Sequence, residues 1–538
     1  MWVVRSRFVL LLVLVVASSC SCIQNSTASR KKLKVLGLFQ HPGYSHCIIF
    51  KTVLVELARR GHDVTVMSYF PRTEKEIAEE PLPNYKDIDL REGKYDLFIH
   101  SVDLNSISLT SYKRILSNMY LIYKMASATC SQCLGNQFVR QFFDSNPQFD
   151  VTITEAFNTN CANALLHKVK APLVLMSSHL VTPWTNDDFG VPQEASYMPS
   201  ILTASQLPLG FFDRVSNLMI VLLQNLLVRT IFSWRDSQLV EKYGLGPVDL
   251  HEVNRNASLL LTNSHYVIHG AAIHPHNVVE VGGLHVPKVV KPLPKDIAKF
   301  LDEAHEGVLY FNLGSLMKTA TAPKEKLELF VKVFNSLPRK VLWKWDVDIE
   351  NLSSNIMLKK WLPQYDVLNH PNVKCFFGHG GLLGITESVK SGVPMILLPL
   401  FGDQFTNAKA VERRGFAMLL DFTQLTEENI RHAIDELFNN TKYTENAKAL
   451  SRAFVDRPMH PLDEAVWWVE YVARGNGPYL ANEGAKLTWY QYHYVDVWAF
   501  LLVVALLFLY SSYTLIKCVL FLTRKTKGEK ATKSKKQD

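Results

Sequence analysis

The sequence has no charge imbalance outside its two ends. Its formal net charge of +8 divides into +2 from Arg5 and Arg7, +1 from Lys517 and +5 from the tail at 523–538, which leaves residues 23–496 neutral. A protein that binds a polyanion carries a basic stripe or patch. The neutral body therefore argues against nucleic acid as a partner.

Cysteine is also scarce. Of the eight cysteines, five lie outside the apolar segments at the two ends of the chain. An odd number scattered over a long body is not the framework of a small disulfide-stabilised fold. Cys130 and Cys133 form a Cys-x-x-Cys pair, but no second pair or histidine cluster accompanies it. We interpret both as structural thiols rather than as a metal or redox site.

Internal repeats and low-complexity tracts are absent, which excludes solenoids and disordered architectures. The 538 residues exceed one ordinary hydrophobic core, so the length predicts two or three structural units. A strand at Leu33–Phe39, a helix at His46–Arg60 closed by Gly61, and a strand at His62–Met67 form a βαβ opening. This pattern predicts a doubly wound parallel sheet.

A second β/α series follows a segment without periodicity at Val281–Pro294, which we interpret as a linker. The predicted fold class is therefore α/β, with a first Rossmann-like domain at 23–285 and a second at 286–475 that face each other across a cleft. Ligands of such sheets lie at the carboxyl ends of the strands. Residues 476–496 form a membrane-proximal segment.

Apolar runs mark both ends of the chain. The run Phe8–Val16 is too short to span a bilayer and is followed by small residues, so we predict a secretory signal at 1–22. Residues 497–522 are long enough to span as a helix. Basic residues after this helix place the tail at 523–538 in the cytosol and the body in the lumen, a single-pass type I topology.

The tail ends with Lys535 and Lys536 in the third and fourth positions from its terminus, which resembles the dilysine retrieval signal of endoplasmic-reticulum membrane proteins. Glycosylation sequons in the predicted lumenal body lie at Asn25, Asn256, Asn351 and Asn439. A further apolar segment, 215–232, is interpreted as a core helix; an acceptor-pocket wall and a surface that dips into the bilayer are the alternatives.

Residues 361–404 contain the most specific pattern. A strand predicted at Val373–Phe377 leads into a glycine-rich turn and a helix that begins near Gly381. The N-terminus of such a helix presents free N–H groups and a positive dipole end to an anion. Gly380 and Gly381 let a phosphate approach the backbone, and His379 adds a side-chain donor.

The complete pattern extends on both sides of this turn. Its members, in order, are Trp361, Gln364, His379, Gly380, Gly381, Gly384, Glu387, Pro394, Pro399, Asp403 and Gln404. It resembles the signature of the animal UDP-glycosyltransferases, the family of the UDP-glucuronosyltransferases. The residues at Leu382-Leu383 make it most similar to the arthropod branch. The signal, the linker, the late apolar helix and the dilysine end follow in family order.

The resemblance implies a GT-B type fold with one C-terminal transmembrane helix, the acceptor in the first domain and the UDP-sugar in the second. By position, Trp361 would stack on uracil and Gln364 would reach the ribose. Glu387 would bind the ribose hydroxyls, and Ser315 and His379 would hold the diphosphate. The resemblance implies no metal and no cofactor, since the UDP-sugar is a co-substrate.

Asp403 and Gln404 would bind the hydroxyls of the sugar, and His46 matches the catalytic histidine of the family. A neutral imidazole can take the proton of the acceptor hydroxyl during in-line attack on the anomeric carbon, which inverts its configuration. The position of the supporting aspartate is occupied by Glu155, which keeps the charge on a longer side chain.

These observations predict a hexosyltransferase of the endoplasmic-reticulum membrane that conjugates small lipophilic hydroxyl compounds, as in detoxification. The sequence leaves open whether the protein forms homo-oligomers. The donor is UDP-glucose or UDP-glucuronate. The absence of a basic residue between Gly378 and Ser388 favours glucose, although the directions of Lys344, Lys390 and Lys409 are open. A catalytically silent protein that binds UDP-sugars or lipophiles is the alternative.

Overall fold

The computed structural model of the protein describes most of the chain. The described residues are 31–91, 111–203, 205, 207–314 and 321–534. The predicted features that lie outside them are the signal at 1–22, the sequon at Asn25, a β/α signal at Tyr95–His100, the candidate site residue Ser315, and the C-terminal lysines Lys535 and Lys536.

Two parallel sheets form the centre of the structure. The first contains β1 (Lys34–Leu38), β2 (Asp63–Ser68), β3 (Tyr85–Asp89), β4 (Val151–Glu155), β5 (Leu173–Ser177), β6 (Leu259–Thr262) and β7 (Val278–Glu280). The second contains β8 (Val308–Asn312), β9 (Lys340–Lys344), β10 (Ile356–Lys359), β11 (Val373–Gly378), β12 (Met395–Leu397) and β13 (Ala417–Leu419).

Helices alternate with the strands. Those between β1 and β8 are α1 (Tyr44–Arg59), α2 (Glu74–Glu79), α3 (Ser111–Gly135), α4 (Gln137–Asp144), α5 (Cys161–His167), α6 (Pro183–Asn186), α7 (Phe211–Leu227), α8 (Ser233–Lys242), α9 (Leu250–Arg255), α10 (Tyr266–His269) and α11 (Lys295–Asp302). Those after β8 are α12 (Lys324–Asn335), α13 (Gln364–Leu368), α14 (Leu382–Ser391), α15 (Gln404–Arg413), α16 (Glu427–Asn439), α17 (Thr441–Val455), α18 (Pro461–Tyr471), α19 (Trp489–Tyr492) and α20 (Val495–Ser534).

Both sheets are doubly wound. The strand order is β3-β2-β1-β4-β5-β6-β7 in the first and β10-β9-β8-β11-β12-β13 in the second, and all neighbouring strands are parallel. The direction of strand addition reverses between β1 and β4, and again between β8 and β11. A ligand crevice forms outside the carboxyl ends of the strands at such a switch point. The predicted α/β class with two Rossmann-like sheets is confirmed.

The first βαβ unit shows how local sequence determines this layout. Helix α1 buries Ile49, Phe50, Val53, Leu54 and Leu57 against the sheet, at the spacing of one helical face. Gly61 then takes a φ of 93°, a left-handed conformation that ends the helix and turns the chain into β2. The predicted helix at His46–Arg60 is thus confirmed within two residues at its start.

The last helix of the globular body returns to the first sheet. Leu462, Ala465, Val466, Val469 and Val472 are buried in the core of the first domain, in one cluster with residues of β1, β4 and α1. The predicted domain boundary at 475 assigned this stretch to the second domain. The helical pattern identified its apolar stripe, but an apolar stripe does not indicate which of two cores it joins.

A disulfide joins Cys130 of α3 to Cys161 of α5, with a Cα–Cα distance of 5.6 Å. The interpretation of Cys130 as a free structural thiol is therefore wrong, whereas Cys133 is a free, buried cysteine. Burial raises the pKa of the Cys133 thiol to about 12, so this group stays protonated. The two bonded residues are 31 positions apart and meet only because α3 packs on α5, which cysteine spacing does not reveal.

The segment 215–232 is not a core helix, so that interpretation is wrong. It belongs to a continuous helical stretch formed by α7, a π-helical turn at Val228–Phe232 and α8. Most apolar side chains of α7 are exposed, among them Phe212, Met219 and Leu226. The stretch is long and apolar enough to cross a membrane, as is the C-terminal helix at Val495–Thr526, which contains the predicted span at 497–522.

We expect Val466→Ala to destabilise the first domain selectively. Val466 is fully buried, and the deleted methyl groups leave a cavity that costs about 2 kcal/mol. Hydrogen exchange followed by mass spectrometry should show lost protection in β1 and α1 and unchanged protection in β8 and β9. Val389→Ala, at an equally buried position in α14, is the matched control and should show the opposite pattern. Loss confined to β8 and β9 in Val466→Ala would contradict the assignment of α18.

Candidate active site

The site residues cluster at the two switch points. His46 lies in the first turn of α1, which follows β1, and Glu155 is the last residue of β4. Asn312 ends β8, and His379 follows β11 directly. Each pair of strands flanks the reversal of its own sheet. The two crevices therefore each carry polar groups at the place where a doubly wound sheet binds its ligand.

A carboxylate holds the imidazole of His46. His46 Nδ1 lies 2.5 Å from Glu155 Oε1. The hydroxyl oxygen of Ser178 lies 2.9 Å from the same nitrogen and 3.4 Å from the same carboxylate oxygen. A carboxylate only accepts hydrogen bonds, so Nδ1 carries the proton of the neutral ring. Nε2 is then the nitrogen that can accept a proton from a substrate.

Glu155 also sets the basicity of His46. Burial alone lowers the pKa of His46, but the charge of Glu155 and its hydrogen bond outweigh burial, and the pKa is raised above its ordinary value of 6.5. The charge of Asp403, from the second domain, raises it further. Burial acts on Glu155 in the opposite direction, yet His46 holds the pKa of this carboxyl below its ordinary value. The result is a stronger base than free imidazole.

Two more histidines surround the base. The ring centres of His41 and His46 are 4.6 Å apart, and those of His179 and His46 are 6.2 Å apart. Burial and the nearby His46 lower the pKa of His41 to about 3, and burial also lowers the pKa of His179. Both rings are thus neutral near pH 7, and Phe157 packs against all three. The charge of Glu155 also acts on His41 and His179, but burial outweighs it there, whereas His46 hydrogen-bonds to the carboxylate.

In the second domain, the glycine-rich turn encloses His379. A Cβ atom at Gly314 would lie 2.6 Å from the ring of His379, and one at Gly381 would also overlap it. The buried Nδ1 atom of His379 has no hydrogen-bond partner among the described residues. Burial lowers the pKa of this ring to about 4. The neutral ring therefore lies beside Gly381, the residue before α14, and the first N–H groups of that helix have no side-chain cap.

A hydrogen-bonded chain joins β8 to α14 beside this turn. Gln364 Nε2 donates to Glu387 Oε2 at 2.5 Å, and Gln364 Oε1 accepts from Asn312 at 2.7 Å and from the Tyr310 hydroxyl at 3.0 Å. Burial raises the pKa of Glu387 to about 7. The indole of Trp361, at the entrance to α13, is 70% exposed and free to stack on a flat base.

Asp403 and Gln404, which the resemblance assigns to the hydroxyls of the sugar, lie where the loop before α15 meets that helix. Gln404 Oε1 accepts from the backbone N–H groups of Leu400 and Phe401 at 2.8 and 3.0 Å, which fixes the loop. Asp403 Oδ2 accepts from Asn407 at 2.7 Å and begins the helix. A Cβ atom at Gly380 would lie 2.9 Å from the carbonyl oxygen of Gln404, so the two loops touch where only glycine fits.

Comparison with known proteins identifies the family. Residues 34–533 match the family model described as UDP-glucoronosyl and UDP-glucosyl transferase. The chain belongs to this family.

Similar proteins cover nearly the whole chain. UDP-glucosyltransferase 2 of Dactylopius coccus is 36% identical over 473 residues, which is 87% of this chain and 90% of that protein. UDP-glucuronosyltransferase 1A3 of Rattus norvegicus is 32% identical over 483 residues, which is 87% of this chain and 88% of that protein. The chain is therefore an enzyme, a UDP-glycosyltransferase, and the predicted family with its arthropod-like branch is confirmed.

Solved structures support the fold. The glycotransferase of kitacinnamycin aligns with a TM-score of 0.54 at 18% identity, covering 82% of this chain and 99% of that one. LpCGTa in complex with UDP aligns with a TM-score of 0.51 at 16% identity, covering 82% of this chain and 99% of that one. Both are similar in fold, which confirms the GT-B architecture.

The structure brings together most of the residues that the sequence pattern selected for this UDP-glycosyltransferase. His46 and Glu155 are in contact, as are Gln364 and Glu387. The roles of these residues toward a substrate stay predictions. The pattern did not select Ser178, although a polar triplet at 177–179 begins with the last residue of the apolar strand β5, at the same sheet edge as Glu155.

Asn312 and Tyr310 are further site residues that the sequence analysis missed. Both lie on β8, just before the Leu313-Gly314 turn, where the position of Asn312 at a strand end was the available signal. Gly378 ends β11, directly before His379. A Cβ atom at this position would lie 2.8 Å from the ring of Phe376.

We expect Ser178→Ala to lower kcat about tenfold, the effect of one lost hydrogen bond, with unchanged affinity for UDP.

The pH dependence of kcat/KM tests whether His46 is the base and whether Glu155 raises its pKa. Its acid limb should have a midpoint above 6.5 in the wild type, because His46 acts as a base only after losing its extra proton. Glu155→Gln should move this midpoint down, since burial then acts without the carboxylate. The control for Ser178→Ala is Ser233→Ala. This variant removes a serine that contacts His251 at 2.7 Å outside the site, and it should leave kcat unchanged. An unmoved midpoint in Glu155→Gln would contradict this role of Glu155.

Proposed function

We propose that the enzyme transfers a hexose, glucose in preference to glucuronate, from its UDP-sugar to a hydroxyl group of a small lipophilic acceptor, with inversion at the anomeric carbon. The contact between His46 and Glu155 carries this proposal. It supplies a base of raised pKa whose Nε2 is available to a substrate, and that base is within the electrostatic reach of Asp403 on the donor side.

The reaction uses groups from both domains. Nε2 of His46 takes the hydroxyl proton while the acceptor oxygen attacks the anomeric carbon from the face opposite the UDP. The bond from that carbon to the diphosphate oxygen breaks, and the negative charge that develops on the UDP is stabilised at the N-terminus of α14 and by His379. Backside displacement inverts the configuration of the sugar carbon.

Three observations support a neutral sugar. Lys344 is paired with Asp346 at 2.7 Å, Lys409 with Glu412 at 2.8 Å, and Lys390 donates to the carbonyl oxygen of Pro287 at 2.8 Å. Each of the three lysines whose side-chain direction the sequence left open thus has an oxygen partner within the protein. A buried carboxylate without a cation costs several kcal/mol. The charge of Asp403 adds repulsion for a glucuronate, which favours glucose.

A cavity of about 450 Å³ between the domains supports a small lipophilic acceptor. Its apolar wall begins directly after His179, in the loop that follows β5, and the opposite wall belongs to α15. The residues that give it an apolar lining include Leu180, Val181, Tyr197, Met198, Leu207 and Pro208. This wall is continuous in sequence with Ser178, which contacts the base.

We also propose that α20 anchors the enzyme in the endoplasmic-reticulum membrane with the body in the lumen. The helix is fully exposed over its apolar part and has no protein surface to cover it among the described residues. Exposed Trp489, Tyr490, Tyr494 and Trp498 surround its start, as in an aromatic belt. The sequons at Asn256, Asn351 and Asn439 lie at exposed positions, as lumenal glycosylation requires.

His46→Ala separates an enzyme that uses this base from a silent UDP-sugar-binding protein. We expect kcat to fall about a thousandfold, since general base catalysis contributes that much, while calorimetry shows unchanged UDP affinity. His432→Ala, at an exposed position, is the matched control and should keep full turnover. Turnover near that of the wild type in His46→Ala would rule out His46 as the base.

Competition of UDP-glucose with UDP-glucuronate for one phenolic acceptor, with products resolved by mass, tests the donor. We expect at least about tenfold higher kcat/KM for UDP-glucose, a difference of about 1.4 kcal/mol. Asp403→Asn should lower turnover with both donors and narrow this ratio, because the repulsive charge is gone. A predominantly glucuronidated product would reverse the donor assignment and leave the role of His46 intact.

A further inference from the structure

The helical stretch from Phe211 to Lys242 has apolar side chains on its outside. Phe212 is 82% exposed and Met219 is 63% exposed, which is unusual for side chains of this size. The exposed apolar residues along one side are Phe211, Phe212, Val215, Leu218, Met219, Leu222, Leu223, Leu226, Ile231 and Trp234. From the first to the last of these, the helix rises about 35 Å. We call this surface the outer face.

The side of the helix that faces the protein is partly polar. Asn217 accepts from the backbone N–H of Ser200 at 2.8 Å and donates to the carbonyl oxygens of Ala195 and Met198 at 2.8 Å. Gln224 accepts from the Ser200 hydroxyl at 2.7 Å. These buried bonds fix the helix on the protein and exclude a membrane-spanning role for it. Two of the four buried residues of α7 are thus polar, whereas most of its apolar residues are outside, in contrast to the usual amphipathic helix.

The outer face also lacks charge. No charged residue lies between Arg214 and Arg229. At its start, Asp213 accepts from the Gly210 N–H at 3.1 Å, and Arg214 donates to the carbonyl oxygen of Leu209 at 3.0 Å. At its other end, Arg229 is paired with Asp187 at 2.8 Å. The charged groups at both ends are thus turned toward protein atoms, which leaves the apolar surface continuous.

Asp187 connects this helix to the start of the anchor. The carboxylate oxygen that binds Arg229 also lies 3.5 Å from Nε2 of His493, two residues before α20 begins. Asn482 adds bonds at 3.3 Å to the carbonyl oxygens of Phe189 and Gly190. The beginning of α20 is therefore held next to the middle of the Phe211–Lys242 stretch.

We propose that the outer face lies on the bilayer leaflet adjacent to the globular body, as a second membrane contact beside α20. The proposal rests on the proposed anchoring through α20, which brings the outer face to the lipid surface. An interfacial helix buries its apolar face to a depth of about 5–10 Å, and the outer face has the length, the continuity and the lack of charge for this. The lipid covers apolar side chains that the described protein residues leave exposed.

The test uses the full-length enzyme in phospholipid vesicles, with one environment-sensitive fluorophore on a single exposed cysteine. Cys518, the exposed free cysteine of α20, reports the anchor in the wild type. Cys518→Ser combined with Met219→Cys, or with Leu222→Cys, reports the outer face. Cys518→Ser combined with Lys324→Cys is the matched control, because the Lys324 side chain is 87% exposed on α12.

A lipid with a quencher near its head group should lower the emission at positions 219 and 222 about twofold and leave position 324 unchanged. Aqueous iodide should quench position 324 about fivefold more strongly than positions 219 and 222. Iodide quenching at 219 and 222 equal to that at 324 would overturn the proposal. Shielding from both quenchers, together with crosslinks between copies at 219, would overturn it in favour of a dimer interface.

The fluorophore at Cys518 separates the anchoring through α20 from the membrane contact of the outer face. Lipid quenching at Cys518 without quenching at 219 and 222 would leave α20 as an anchor and reject the outer face as a membrane contact. Absence of lipid quenching at Cys518 would reject the anchoring itself, and the proposal with it.

Discussion

Glu155 is 3% exposed, and its charge is tolerated inside the protein because His46 and Ser178 hydrogen-bond to it. A buried carboxylate without such partners would take up a proton. Three separate elements must be correctly placed for this contact, since Glu155 ends β4, His46 lies in the first turn of α1 and Ser178 follows β5. The strand order around β1 and β4 makes these elements neighbours. The contact between His46 and Glu155 thus depends on the topology of the first sheet.

Much of this arrangement could be predicted from the sequence. Strand β1, helix α1 and the left-handed Gly61 follow a local pattern, since the apolar spacing and the helix-ending glycine act within a few residues. The glycine-rich turn at His379–Gly381 was also recognisable, because it too is a local pattern of a few residues. The remaining site residues depend on tertiary packing. Ser178 and Asn312 are ordinary polar residues at strand ends until the neighbouring strands bring them to His46 and Gln364.

Apolar content was the least informative property. The stretch at Phe211–Lys242 has the composition of a core helix, but its buried positions include Asn217 and Gln224. A hydrophobic pattern reports which residues share a face and does not report what covers that face. The same limit applies to α18, whose apolar stripe joins the first core, and to Cys130, whose partner is set by the packing of α3 on α5.

The return of α18 to the first sheet has a mechanical consequence. The chain passes between the domains twice, after β7 and before α18, and the two passages are in contact. Arg457, in the second passage, donates to the carbonyl oxygens of Glu280 and Gly282 in the first, at 2.8 and 3.1 Å. Two connections at one point act as a single hinge. A rotation of one domain against the other about Arg457 would also have to break the hydrogen bonds from the Thr406 hydroxyl to the carbonyl oxygens of Ile201 and Thr203, at 2.9 and 2.6 Å.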